Sequence, residues 1–256
     1  MKSQVKQRLY GLAGVVLTLL AWELLSRSAW LPPGVLPALG DCAAALSVVL
    51  AEPAFWKGAV WQTVALWAAG LALVTAVGLP VGLALGLSSS AYAVCRSSID
   101  FFRSIPNVAL LPLLVMVFGT QGEMVLTMVL LGAVWPVLIH AVAGVRAIDP
   151  VVFETARVFH IGVLRRFFLI VLPGALPFIA TGFRVSAALT LIIVVVTGLV
   201  SGAPGLGKEL TLAQNATNTP LVFGLVLFVG VLGLCLNALV GMLEKPLLRW
   251  HLQPTA

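Results

Sequence analysis

The sequence predicts an all-α integral membrane protein with six transmembrane helices and a cytoplasmic pair of short helices, on three observations. Of 256 residues, 61% are hydrophobic and only 9% are charged, which is more apolar surface than a water-soluble domain of this length can bury. Six apolar stretches approach the ~20 residues that a helix needs to cross a bilayer. Positive charge also collects on alternate sides of those stretches, as it does in multi-spanning proteins.

The spans fall at about residues 9–25, 59–87, 105–118, 124–145, 175–200 and 222–243. Lys2, Lys6 and Arg8 ahead of the first stretch imitate a secretory signal peptide. The apolar run continues to Leu25 with no A-x-A site after it, so the reading is an uncleaved first span. Residues 36–50 lack charge except Asp41 and read as a short helix near the outer interface, starting after Pro37. Trp22, Trp30, Trp56, Trp61 and Trp67 cluster at the ends of the first two spans, as an interfacial aromatic belt would. In the second span Gly78, Gly82 and Gly86 recur every four residues, clearing one face for a neighbouring helix within the subunit or in another copy.

With the N-terminus inside, the cytoplasmic segments hold Lys2, Lys6, Arg8, Arg96, Arg103, Arg146, Arg157, Arg165, Arg166, Lys245 and Arg249. The outer segments hold Arg27, Lys57 and Lys208, so the count is eleven against three, with Arg184 inside a span. The third stretch is the shortest, and Ile99 to Phe102 would lengthen it. Without it the loop after Arg146 would face outward and its arginines would have to be translocated. No internal repeat is visible, and residues 1–256 read as one membrane domain.

The loop after the fourth span holds the most specific pattern. Asp149-Pro150 is a helix start, with the aspartate as cap and the proline where its missing N–H costs nothing. A helix over 151–159 follows, Gly162 is placed to turn the chain, and a second short helix runs over 163–171 until Pro173. Arg165 and Arg166 beside Phe167 and Phe168 give the second helix a basic and an aromatic face. Charge alone would lay this hairpin on the anionic inner leaflet.

The residues carry more than charge. Glu154-Thr155-Ala156, then His160 after three residues, then Ile170, Leu172 and Pro173 after nine more, resemble the cytoplasmic signature of ABC importer permeases: E-A-A, three residues, G, nine residues, I-x-L-P. Thr155 and His160 depart from it, standing where the family has Ala and Gly. Arg103-Ser104-Ile105-Pro106, Leu110-Leu111-Pro112-Leu113, Phe118-Gly119, Ala143-Gly144-Val145-Arg146 and Gly205-Leu206-Gly207 are similar to the subgroup importing nitrate, sulfonates, taurine and thiamine-precursor pyrimidines. The likeness covers about residues 96–250.

The resemblance implies a type I ABC importer permease fold in the bacterial inner membrane, with both termini cytoplasmic. It implies that the helices within 150–171 are coupling helices seated in a groove on an ATPase subunit. Glu154, Thr155, Ala156, Arg157, His160, Gly162, Arg165 and Arg166 are then the coupling residues, with Glu154 an anchor meeting Arg157 or Arg146. Gly162 would supply, two residues late, the turn that the family places at its Gly. Implied partners are cytoplasmic ATPase subunits, which hold the ATP and magnesium, an extracytoplasmic solute-binding protein or lipoprotein, and a second permease copy. No cofactor is expected on this chain.

Within the fifth span Ser186, Thr190, Thr197 and Ser201 fall within an arc of about 60° at ~100° per residue. This polar stripe is read either as hydroxyls bonding to helix carbonyls or as the lining of a translocation path. It holds no charge, which fits a neutral solute better than a strongly anionic one. In the subgroup an acidic residue commonly stands where this chain has Gly198. Arg184, the one basic residue well within a span, is read as an inner-gate residue or as an anchor to the cytoplasmic interface, and it needs a partner or a route to water. Glu23 and His140 read as interfacial.

Several chemistries are set aside. The positive charges are scattered rather than grouped with aromatics, which argues against nucleic acid. Cys42, Cys95 and Cys235 have no metal-ligand spacing and read as small apolar residues. Gly202 to Lys208 reads G-x-x-x-x-G-K, but Glu209 stands where a P-loop needs Ser or Thr and the loop faces outward, so tight turns are expected there instead. No hydrolase motif is present, and ATP hydrolysis is assigned to another chain. An ion-coupled secondary transporter, the alternative function, predicts acidic residues in mid-span, and none is seen.

Overall fold

The structure is a computed structural model. It describes residues 2–28, 30, 32 and 34–247, with the side chains of 2–9, 12 and 247 outside the description. The side chains of Lys2, Lys6 and Arg8, and all of Arg249 and Trp250, therefore lie outside the described residues. Every regular element among the described residues is helical.

In chain order these are α1 (Lys2–Ser26), α2 (Leu39–Leu50), α3 (Pro53–Leu87, with a π-turn at Trp56–Val60), α4 (Ser89–Ser104) and α5 (Asn107–Phe118). They continue as α6 (Gly122–Arg146), α7 (Pro150–Val158), α8 (Val163–Arg166), α9 (Leu172–Ser201), α10 (Leu206–Asn215) and α11 (Thr219–Leu247).

Four helical runs are long and apolar enough to cross a bilayer: Pro53–Leu87, Gly122–Arg146, Val163–Asn215 and Thr219–Pro246. They contain the expected second, fourth, fifth and sixth spans. Over the expected first span, α1 is continuous, and its apolar part among the described side chains is Ala13–Ser26. Near its end Trp22 Nε1 donates to Pro37 O at 3.0 Å, and Glu23 accepts from the Leu39 amide at 3.0 Å and pairs with Arg27 at 2.6 Å. The expected outer helix is α2, which begins at Leu39 and buries Cys42.

The third span is a correction. It is not one straight helix over 105–118 but the pair α4 and α5, bent by 79° at Ile105-Pro106. Proline has no N–H and disfavours helix in the residue before it, so the helix breaks there. At ~1.5 Å per residue α5 alone reaches about 18 Å, short of a ~30 Å core. The pair nevertheless climbs the length of α6. At the foot of α6 the Arg146 guanidinium lies 3.9 Å from the Tyr92 ring centroid on α4. Near its head Asn107 Nδ2 donates to Met128 O at 2.9 Å, and Leu111 and Leu114 are buried with Met124 and Val125.

The core is the triple contact of α3, α6 and α9. Gly78, Gly82 and Gly86 face α6 inside the subunit, which settles which neighbour the four-residue repeat serves. A Cβ on Gly82 would lie 2.6 Å from Leu138 O and 2.7 Å from Ala141 Cβ, and one on Gly86 would lie 2.7 Å from Val145 Cβ. Small residues let the backbones approach where lipid offers no hydrophobic drive to associate. Trp67 leaves the expected aromatic belt: it is 6% exposed and its Nε1 donates to Ala187 O at 2.9 Å. Buried indole N–H groups need such an acceptor. Trp30, Trp56 and Trp61 are exposed as expected.

Candidate functional site

The loop between α6 and α9 holds the signature residues. Asp149 caps α7, its carboxylate accepting from the Val151 amide at 2.9 Å, and Pro150 opens the helix. Ala156 is buried at 2% exposure, while Glu154, Thr155, Arg157, Gly162 and Arg165 are exposed. On the same loop Val158, Phe159, Val163 and Leu164 are each more than 70% exposed. Four large apolar side chains at one tip make a surface built to be covered.

The turn is where sequence and structure differ most. His160 takes φ +51°, in the left-handed region, and hydrogen bonds close the helix end around it. Its amide donates to Arg157 O at 3.1 Å and the Ile161 amide donates to Ala156 O at 2.9 Å, the double bond of a Schellman ending. Gly162 instead sits at φ −60°, ψ 154°, an extended residue that starts α8. The expectation that Gly162 carries the turn is corrected: the turn stays at the position where the family signature has Gly, and histidine adopts it. His160 is exposed, and its Nδ1 lies 3.0 Å from Val158 O.

Two further expectations change. The second coupling helix does not stop at Pro173, because α8 runs through a π-turn at Phe167–Val171 into α9. The proline falls in the first turn after that wider turn, where a missing donor is tolerated. Among the described residues Glu154 makes no ion pair within 4 Å, so neither Arg157 nor Arg146 is its partner.

The stripe on α9 faces into the bundle. Ser186, Thr190 and Thr197 are at most 1% exposed. Ser186 Oγ donates across to Ala133 O on α6 at 2.7 Å, and Ser201 Oγ donates to Thr197 O at 2.7 Å. Thr190 Oγ1 is buried without a partner, its methyl side facing Gly70. Of these hydroxyls Ser186 joins α9 to α6, and Ser186, Thr190 and Thr197 are all buried rather than open to free space.

Open space lies elsewhere. Arg103, Ser104, Trp135, His140, Val185 and Leu189 face a groove of about 540 Å³ between the α4–α5 bend, α6 and α9. Arg103 is held by Asp100 at 3.1 Å, and His140 Nδ1 lies 2.8 Å from Pro136 O. A second, more apolar groove of about 700 Å³ runs between α9 and α11, with Arg184 and Asn237 among its lining residues.

Arg184 pairs with Glu244, a residue that the sequence reading left beyond the sixth span. α11 continues to Leu247 and so carries Glu244 into the bundle, where its side chain is 7% exposed and Oε1 has no partner. The unpaired arginine in the fifth span was the signal that an acid had to meet it. The glycine-rich loop behaves as expected, with Gly202 at φ +73° and Gly205 at φ +134°. The Leu206 amide donates to Thr63 Oγ1 at 2.8 Å, tying this loop to α3. A Cβ on Gly198 would lie 3.2 Å from Ala203 O and 3.3 Å from Gly207 Cα, so the subgroup's acidic residue does not fit here without a shift.

A broken third span, a bundle sealed on α3, α6 and α9, and a signature loop with an exposed apolar tip define an all-α membrane bundle. Comparison with known proteins gives the family. Residues 76–249 match the model of the binding-protein-dependent transport system inner membrane component, and the chain belongs to that family as the permease subunit of an ABC importer. It is 31% identical to the putative aliphatic sulfonates transport permease protein SsuC of Bacillus subtilis, over 72% of this chain and 67% of that one. It is 29% identical to the bicarbonate transport system permease protein CmpB of Synechococcus elongatus, over 93% and 88%. With the taurine transport system permease protein TauC of Escherichia coli it shares 28% over 94% and 88%. Among solved structures, an inward-facing MetNI methionine ABC transporter chain matches with a TM-score of 0.65 at 21% identity, covering 77% of this chain and 99% of that one. The fold is that of this importer's permease.

Proposed function

We propose that the chain works as a homodimer with two cytoplasmic ATPase subunits and an extracytoplasmic solute-binding protein. The permease itself makes and breaks no bond, and ATP and magnesium belong to the ATPases. The observation that carries this reading is the coupling loop: the signature stands in register, its turn is closed at the signature position, and its apolar tip is exposed. A rigid cap on a continuous helix transmits force. Because α8 runs into α9 without a stop, a push on the loop becomes a rotation of the helix at the centre of the bundle. Closure of the ATPases would thereby exchange inward-open and outward-open states.

The solute path in this reading follows the groove at Arg103, Ser104, Trp135 and His140, completed by the second copy, rather than the buried stripe. The relatives named for sulfonates, bicarbonate and taurine support a small solute bearing an oxyanion, and a groove with a guanidinium at its edge is compatible with that class. Both termini are assigned to the cytoplasm from the charge asymmetry.

The test is a complex reconstituted in vesicles with its ATPase and binding protein. Loaded binding protein should stimulate ATP hydrolysis and solute uptake together. Glu154→Lys should insert normally yet hydrolyse ATP without transport, and normal uptake by that variant would sink the assignment of the loop.

A further inference from the structure

The coupling loop has two sides, and only the exposed tip is accounted for by a protein partner. At ~100° per residue, Pro150, Phe153, Glu154 and Arg157 share one arc of α7, while Val151, Thr155 and Val158 fall on the other. The first arc closes, with Arg166 on α8 and the ends of α3 and α6, around a cavity of about 440 Å³. Arg146, Arg157, Arg166 and Glu154 all line it, so three guanidiniums face one carboxylate.

These cations are poorly answered. Among the described residues, none of Arg146, Arg157 and Arg166 forms an ion pair within 4 Å. Arg166 Nε is buried with no acceptor, and its Nη2 reaches only Ile161 O at 3.5 Å. Arg146, itself exposed, rests on the Tyr92 ring. The buried Arg166 Nε without an acceptor is costly, and with the exposed Arg146 and Arg157 guanidiniums on the same cavity wall the geometry suits an anion with several acceptor oxygens. The fork of a guanidinium fits a phosphate better than it fits a single carbonyl.

The depth of the cavity says where that phosphate comes from. Its wall includes Gly86 and Leu87, the last residues of α3, and Arg146, the last of α6. Membrane-crossing helices end at the headgroup layer, and basic pockets between such ends hold anionic headgroups. Leu87, half exposed, offers an apolar rim along which acyl chains can run.

We infer that this cavity is a phosphate site for the headgroup of an anionic phospholipid, with Arg146, Arg157 and Arg166 on the phosphate. The lipid fixes the base of the coupling loop from the membrane side and leaves the tip free. This rests on the loop lying at the membrane surface and not on an ATPase binding there.

The full-length chain in detergent is exposed to mixed micelles of phosphatidylglycerol and phosphatidylcholine and read by native mass spectrometry. Wild type should retain phosphatidylglycerol selectively. Arg157→Gln with Arg166→Gln should weaken retention roughly thirtyfold, the loss expected for removing two arginines from an anionic headgroup. Arg165→Gln, an equal charge change outside the cavity, should leave retention unchanged. If the glutamine pair does not fold, the lysine pair decides, since it keeps the charge, loses the fork and should retain less than wild type. Undiminished retention by the cavity variants, an equal loss in Arg165→Gln, or displacement of the lipid by millimolar inorganic phosphate would each overturn the proposal. ATPase coupling plays no part in the readout, so its failure and the failure of this site are told apart.

Discussion

Two places in this chain call for glycine for different reasons: the α3–α6 seam and the turn of the coupling loop. At Gly82 the backbone angle is ordinary, and what forbids a side chain is the neighbouring helix, whose Leu138 carbonyl lies 2.6 Å from where a Cβ would sit. At His160 the side chain is exposed to open space, and the cost is conformational, a left-handed φ of +51°. Lack of space inside a bundle cannot be negotiated, because neither backbone can yield without separating the helices. An unfavourable φ at the surface costs about 1–2 kcal/mol, and the two hydrogen bonds of the helix ending offset it. A side chain has therefore entered the turn but not the seam.

The strongest challenge to this contrast is Gly82→Val. It should destabilise the subunit by about 3 kcal/mol or more and cost it a monodisperse detergent preparation. Gly162→Ala should change stability by less than about 0.5 kcal/mol, since that glycine has an extended backbone and nothing near its Cβ position.

Next in size is the Arg184–Glu244 pair. Arg184→Gln strands a nearly buried carboxylate and should lower thermal stability by about 2 kcal/mol, less than a fully buried pair because water screens the half-exposed guanidinium. Glu244→Gln should cost about 1 kcal/mol, because the amide still accepts a hydrogen bond and the arginine can reach water. Equal losses in unfolding midpoint would mean that the pair is not held in this asymmetric way.

Ser186→Ala removes the bond to Ala133 O and should cost about 1 kcal/mol with solute selectivity unchanged. A selectivity change without loss of stability, measured by uptake in vesicles, would return the stripe to the translocation path. The turn itself is tested by His160→Gly. It should stabilise the loop by about 1 kcal/mol, read as slower hydrogen exchange of the His160 and Ile161 amides.

Much of the fold was legible because its signals are local. Most apolar runs and Asp149-Pro150 each sit within one element, the signature sits within one short stretch of chain, and each marks where the structure places a helix, a cap or a turn. The failures share one cause. Ser186, Thr190 and Thr197 line up by helical period, but period does not say whether the stripe faces water, lipid or α6. Trp67 stands near a span's end in sequence and inside the core in space. Glu244 escaped because a span ends in sequence where hydropathy ends, while α11 runs another turn.

The sequence by itself determined that this chain lives in a bilayer, that it is built of several apolar helices and which loop bears the importer signature. Composition, run length and motif spacing are properties of the chain alone. Only the tertiary structure decided that the glycine repeat meets α6, that Arg184 has Glu244, and that the third crossing is broken. It also decided that His160 rather than Gly162 makes the turn. Each of these depends on how helices are rotated and bent against one another, which is set by contacts between residues far apart in the chain.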